Sequence, residues 1–172
     1  GPDTGGCGGR LGPVHRDDRA SGRAFATRGR GVAGRGIFAG NPVNIRALLV
    51  DDEQLARALL REQLGAHPDV EVVAECANGF EAVKAVAEHR PDLVFLDIQM
   101  PKLDGFEALE LFDPAPCVIF VTAYDEHALR AFEVHAVDYL LKPFAPERLA
   151  EALAQARARI ARHETATAAL AP

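Results

Sequence analysis

After residue 43 the chain alternates between two hydrophobic patterns. Short, almost wholly apolar runs are followed by stretches in which leucine or alanine recurs every three or four residues. The first pattern suits a strand buried on both faces, the second an amphipathic helix. Ile45–Val50 (IRALLV) is the first run and stops at Asp51-Asp52; Leu55, Leu59, Leu60 and Leu64 then mark a helix to about Ala66. Pro68-Asp69 breaks it, and Val70–Cys76 (VEVVAEC) predicts a second strand. Asn78 is a candidate N-cap for a helix over Gly79–Glu88, which Pro91 closes. Leu93–Leu96 (LVFL) predicts a third strand, ending at Asp97. Asp104-Gly105 opens a helix through Phe112, curtailed by the short Leu111–Pro116 link (LFDPAP). Cys117–Val121 (CVIFV) predicts a fourth strand ending at Thr122, Glu126–Val134 a helix, and Val137–Leu141 a fifth strand ending at Lys142-Pro143. Pro146 suits the first turn of a last helix running to about His163. Residues 164–172 (ETATAALAP) read as a linker or tail. Five strands alternating with five helices predict a doubly wound α/β domain over residues 44–163, its five-stranded parallel sheet covered on both faces.

Composition separates the first 42 residues from the rest. They hold twelve of the fifteen glycines, seven Arg and three Asp, with neither helical nor strand periodicity. Such a segment buries too little apolar surface to offset its ordering entropy, so residues 1–43 are expected to be a disordered leader or an added extension. The only methionine is Met100, and Val43 stands where the compact domain should begin. A valine codon can serve as a bacterial start, so the upstream residues are read as leader. A basic arm touching nucleic acid is the functional alternative for them. Residues 43–172 carry twelve Lys or Arg against twenty-two Asp or Glu, a balance unsuited to direct contact with DNA. No run of apolar residues is long enough to span a membrane, and no charged stretch precedes an apolar one at the start. A cytoplasmic protein is therefore expected. Cys7, Cys76 and Cys117 are scattered and odd in number, which suits reduced thiols, the last two as small core residues. His67, His89, His127, His135 and His163 lack paired ligand spacing and read as surface or helix-end residues.

Most of the reactive side chains lie at the C-terminal ends of the apolar runs. In open α/β sheets that edge is where ligands bind. The fold would gather Asp51, Asp52, Asp97, Thr122 and Lys142 there. Converging carboxylates repel one another and raise each other's pKa unless a cation joins them. Hard oxygen ligands and an open coordination sphere suit Mg²⁺. Lys142 adds a compact positive charge, and Thr122 a hydroxyl that can donate to a phosphoryl oxygen. An ionised aspartate can attack phosphorus without a base, so phosphoryl transfer to Asp97 fits the set. Taken singly, each residue has a plainer reading: an acidic turn, a strand threonine, a surface Lys-Pro.

The segments LLVDDEQLAR, PDLVFLDIQMPKLDG, VIFVTAYDEHA and AVDYLLKPF together resemble the receiver domains of two-component response regulators, over about residues 45–160. The resemblance implies a flavodoxin-like fold with strand order 2-1-3-4-5. It implies that Asp97 is phosphorylated by a sensor histidine kinase with Mg²⁺ or Mn²⁺ bound. The metal ligands would be Asp52 directly, Asp51 mainly through water, Asp97, and the backbone carbonyl of Gln99. Thr122 and Tyr139 would be the switch pair, Lys142 the lysine that contacts the phosphoryl group, and the Lys142–Pro143 peptide cis. Phosphorylation would shift the face formed by the fourth helix, fifth strand and fifth helix, favouring a homodimer or another partner. The stretch from Thr122 to Phe144 is similar to receivers joined to LytTR-type DNA-binding domains, so DNA would be contacted only through an output domain of a longer parent. Beyond its own phosphorylation and dephosphorylation, no enzymatic activity is implied.

Two rivals are weaker. A dehalogenase-like phosphohydrolase also uses a strand-end Asp but needs an acid two residues on, where this chain has Gln99. A nucleotide-binding module needs a glycine loop after the first strand, where this chain reads VDDEQLAR. The leader reading predicts that mass spectrometry of the natively expressed protein finds no peptide from before Val43; finding one contradicts it.

Overall fold

In the computed structural model, which describes residues 44–170, the alternation resolves into five strands and five helices. The leader expected over residues 1–43 lies outside the described residues. In order, the elements are β1 Ile45–Val50, α1 Gln54–Leu64, β2 Val70–Cys76, α2 Gly79–His89 and β3 Leu93–Leu96. They continue with α3 Gly105–Leu111, β4 Cys117–Thr122, α4 Ala128–Glu133, β5 Asp138–Leu141 and α5 Pro146–Ala169. All strand pairs are parallel, in the order β2-β1-β3-β4-β5. The doubly wound parallel sheet is as the sequence pattern predicts, and its flavodoxin-like strand order is as the resemblance implies.

Successive strand residues point to opposite faces, and both faces are covered. Ile45, Ala47 and Leu49 of β1, Phe95 of β3 and Ile119 of β4 pack with Leu60 and Leu64 of α1 and with Leu149, Leu153 and Ile160 of α5. Their neighbours Leu48, Val50, Val94, Leu96, Val118 and Phe120 pack with Ala82 and Val86 of α2, Phe106 of α3 and Ala131 of α4. Two cores, one on each side, explain why the central strands are apolar throughout. The β1–β2 pairing shifts register between Ala47 and Leu48, leaving Val73 as an extra residue in the edge strand β2; no periodicity announces this.

Side-chain caps set the starts of two helices, α2 and α3. The Asn78 side chain accepts from the Glu81 N–H at 2.9 Å, the expected cap of α2. Asp104 and Glu107 form a reciprocal capping box at α3. Two helices depart from the pattern. Helix α4 starts at Ala128 rather than Glu126, because His127 gives no side-chain cap and Ala131 is its one buried residue. Helix α5 continues to Ala169 instead of ending near His163, so residues 164–169 are helical rather than irregular. That extension buries nothing; alanine's helix propensity favours it, and the Thr165 and Thr167 hydroxyls bond to carbonyls one turn back. The Lys142–Pro143 peptide is cis, as the resemblance implies, and so is Asp113–Pro114. Among the described residues, no helix is long and apolar enough to cross a membrane.

Helix α3 sits directly on the end of β3. A Cβ added to Gly105 would lie 2.4 Å from the carbonyl oxygen of Asp97, and the Gly105 N–H donates to the Ile98 carbonyl at 2.8 Å. Only a residue without a side chain allows that approach. Gly105→Ala is therefore expected to destabilise the protein by about 1–3 kcal/mol through overpacking. Equilibrium denaturation measures this, and an unchanged midpoint would count against the packing described.

Candidate functional site

The sheet register levels the strand ends. Val50 of β1 pairs with Leu96 of β3, Leu96 with Phe120 of β4, and Thr122 with Leu141 of β5. The residues that follow Val50, Leu96 and Leu141, and Thr122 itself at the end of β4, are therefore delivered to one edge. The chain leaves β1 toward β2 and returns on the other side to β3, so a crevice opens between the β1 and β3 ends.

One carboxylate oxygen each from Asp51, Asp52 and Asp97 lies within 4.8 Å of the others. Asp51 and Asp97 are buried, and Asp52 is exposed. Asp51 is held on every side. Its N–H donates to the Cys76 carbonyl at 3.1 Å, and its Oδ1 accepts from the Glu53 N–H at 2.9 Å. Its Oδ2 accepts from Lys142 Nζ, and its main-chain carbonyl accepts from the Arg57 guanidinium. Asp97 is tied to β1 by its N–H, which donates to the Val50 carbonyl at 2.9 Å. Lys142 Nζ stands 3.7 Å from Asp97 Oδ2, so one ammonium serves two buried carboxylates. The Lys142 N–H donates to the Thr122 carbonyl at 2.7 Å, which fixes the start of that side chain.

The electrostatics follow from this crowding. Burial pushes the Asp97 carboxyl up to about 6; the Asp51 charge pushes the same way and Lys142 opposes both. For Lys142, burial works against the charge. The Asp51 hydrogen bond and the charges of Asp97 and Asp51 outweigh it, so its pKa rises and the ammonium is retained. Three acids around one ammonium leave excess negative charge at an open edge, and all the donors are hard oxygens. The residues present fit a divalent cation of the Mg²⁺ kind. Thr122 is fully buried, close enough to Asp97 to favour its charge, yet its Oγ1 has no partner in hydrogen-bonding geometry. A buried unpaired hydroxyl is costly. It fits a site in which an incoming oxygen takes up that bond.

Tyr139, half-buried opposite Phe120, donates its hydroxyl to the carbonyl of Tyr124 in the loop after β4. Burial raises its pKa, so it stays a protonated donor. The structure thus brings Asp51, Asp52, Asp97, Thr122 and Lys142 together and ties Tyr139 to the loop beside them. Gln99 is exposed two residues after Asp97, and no described contact places its carbonyl among the acids. The sequence reasoning missed Arg57. Its one signal is position: a helix opening four residues after a strand end brings its first turn back over that end.

The family profile for the response regulator receiver domain matches residues 47–154. The transcriptional regulatory protein BtsR of Escherichia coli strain K12 is 50% identical over 115 residues, covering 66% of this chain and 48% of that protein. The REC domain of AraT, a response regulator from Geobacillus stearothermophilus, superposes with a TM-score of 0.64 at 34% identity, covering 70% of this chain and 98% of that one. A CheX–CheY complex with BeF3 and Mg²⁺ from Borrelia burgdorferi superposes with a TM-score of 0.59 at 25% identity, over 66% of this chain and 96% of that one. The chain spans about half the length of the curated relatives it matches.

The Asp97 environment has a measurable consequence. A carboxyl whose pKa is raised by folding holds its proton more tightly in the folded protein, so its ionised form costs stability. The cost is absent below about pH 4, grows as pH rises through the folded value, and is complete at neutral pH. Asp97→Asn should therefore stabilise the metal-free protein by about 1–3 kcal/mol at pH 7.5 and by much less at pH 4. Urea denaturation at the two pH values tests this; no gain at pH 7.5 would contradict it.

Proposed function

This chain belongs to the response regulator receiver family, and from that premise we propose that Asp97 accepts a phosphoryl group from a partner sensor histidine kinase. The observation that carries the reading is the convergence of three acids, with a shared lysine and an unpartnered threonine hydroxyl, at one sheet edge. In this reading Mg²⁺, or Mn²⁺, is held by Asp52, by Asp51 largely through water, by Asp97, and by the Gln99 carbonyl. When bound, the ion supplies charge neutralisation on the transferring group. Asp97, ionised at neutral pH, attacks phosphorus as the bond from phosphorus to the kinase's phosphorylated histidine breaks, the imidazole leaves, and Asp97 holds the phosphoryl group as an acyl phosphate. Lys142 leaves its contact with the carboxylates to meet a phosphoryl oxygen and shares the charge neutralisation with the ion. The Thr122 hydroxyl donates to a second oxygen and acquires the partner it lacks.

The output is a population shift. As Thr122 moves toward the phosphoryl group, Tyr139 exchanges its bond to Tyr124 for the vacated space. The face made by α4, β5 and α5 then changes and favours a homodimer or another partner. Leu129 and Phe132 of α4 are 73% and 79% exposed, an apolar surface suited to such pairing. A relative named as a transcriptional regulator supports a parent protein of that kind. We assign it a LytTR-type output domain that carries the DNA contact, and place its action in the cytoplasm. The receiver itself is a switch, not an enzyme for other substrates.

Incubation with a small phosphodonor and Mg²⁺ should yield a labile adduct on the wild type and none on Asp97→Asn, which has lost the nucleophile. Lys142→Ala should slow uptake by about a hundredfold. Light scattering with beryllium fluoride and Mg²⁺ should show a rise in mass for the wild type but not for Thr122→Ala. Full-rate uptake by Asp97→Asn would defeat the assignment, and an unchanged mass for the wild type would remove dimerisation as the output.

A further inference from the structure

We infer that Arg57 is a positioning residue for the metal seat, acting through the main chain between Asp51 and Asp52. The inference rests on the functional reading above and adds a residue to it. Arg57 lies on the first turn of α1 with its side chain 16% exposed. One guanidinium nitrogen donates to the Asp51 carbonyl, while its Nε lies 3.6 Å from Glu75 Oε1 on β2. Glu75 is itself held by Arg61, which takes its other oxygen. The strand register places Glu75 beside Leu49 and Cys76 beside Val50, next to the point where β1 ends. The planar guanidinium is thus fixed at both ends, one on the neighbouring strand and one on the turn.

The bonded carbonyl belongs to the peptide plane that leads into Asp52. Among the described residues the Asp52 side chain makes no hydrogen bond and no ion pair. Its direction therefore depends on the main chain that carries it. Asp51 anchors one side of that peptide, and Arg57 fixes the plane. A lysine at this position would keep the charge but supply a single point donor in place of a fork. The charge alone would repel a cation, whereas the orientation favours it, so the two contributions have opposite signs and can be separated.

The test is calorimetric titration of MgCl₂ into the full chain and its Arg57→Lys, Arg57→Ala and Glu75→Gln variants, with thermal melts of each. Partners that orient metal ligands from outside typically contribute ten- to a hundredfold in affinity, so Arg57→Lys should weaken Mg²⁺ binding about tenfold. Arg57→Ala should weaken it at least as much, although it removes a repelling charge. Glu75→Gln, which frees the guanidinium but leaves its charge, should weaken it less. A purely structural role would lower the melting temperature and leave the affinity of the folded protein alone. Affinities of both Arg57 variants within about twofold of the wild type, or tighter, would overturn the inference and leave the functional reading standing. A wild type that binds no Mg²⁺ would overturn both.

Discussion

Two buried carboxylates, Asp51 and Asp97, share the single ammonium of Lys142. Burial, assisted by the Asp51 charge and opposed only in part by Lys142, holds the Asp97 carboxyl above the usual carboxylate range. The arrangement persists because the sheet leaves it no alternative. Register fixes the ends of β1, β3 and β5 on one edge, and the cores on both faces hold that register. Lys142 directly follows β5, an edge strand paired on one side only. There Arg148 of α5 grips Asp138 with two hydrogen bonds, of 2.7 and 2.6 Å, and also reaches the Tyr139 carbonyl. Such a bidentate pair holds geometry as well as charge. The stability of the fold thus goes into keeping an electrostatically unfavourable cluster in place.

In the proposed reading that imbalance is what the site responds through: a divalent cation and a phosphoryl group would change the charge where Lys142 and Thr122 stand. The elements beside them are held unequally. Helix α5 buries Leu149, Ala152, Leu153, Ala156 and Ile160 along one stripe, whereas α4 buries Ala131 alone. An element with so few buried contacts belongs to the low-stability end of a structure. Tyr139, bonded to the loop that leads into α4, connects the weakly held element to the site.

The strands and the edge they share were readable in the sequence, because runs such as LVFL and CVIFV end abruptly in Asp97 and Thr122. The Asn78 cap was readable for the same reason: short-range chemistry leaves a local mark. The late start of α4 and the late end of α5 were not. The first depends on how little of α4 finds a core, and the second on a helix that continues without one. The register shift at Val73 and the reach of Arg57 to Asp51 are properties of neighbouring elements, invisible to periodicity. Asp51, Asp97, Thr122 and Lys142 became a site only through their joint position; alone, each has an ordinary explanation as a turn or strand residue.

The central claim is that the phosphoryl group resides on Asp97 and on no other acid of the cluster. Reductive trapping addresses it most directly. An acyl phosphate is cleaved by borohydride to an alcohol, which marks the carboxylate that held it. After exposure to a phosphodonor and Mg²⁺, the account predicts that peptide mass spectrometry locates the mark at Asp97 alone. A mark at Asp51 or Asp52, or none on a folded protein with bound Mg²⁺, would contradict it.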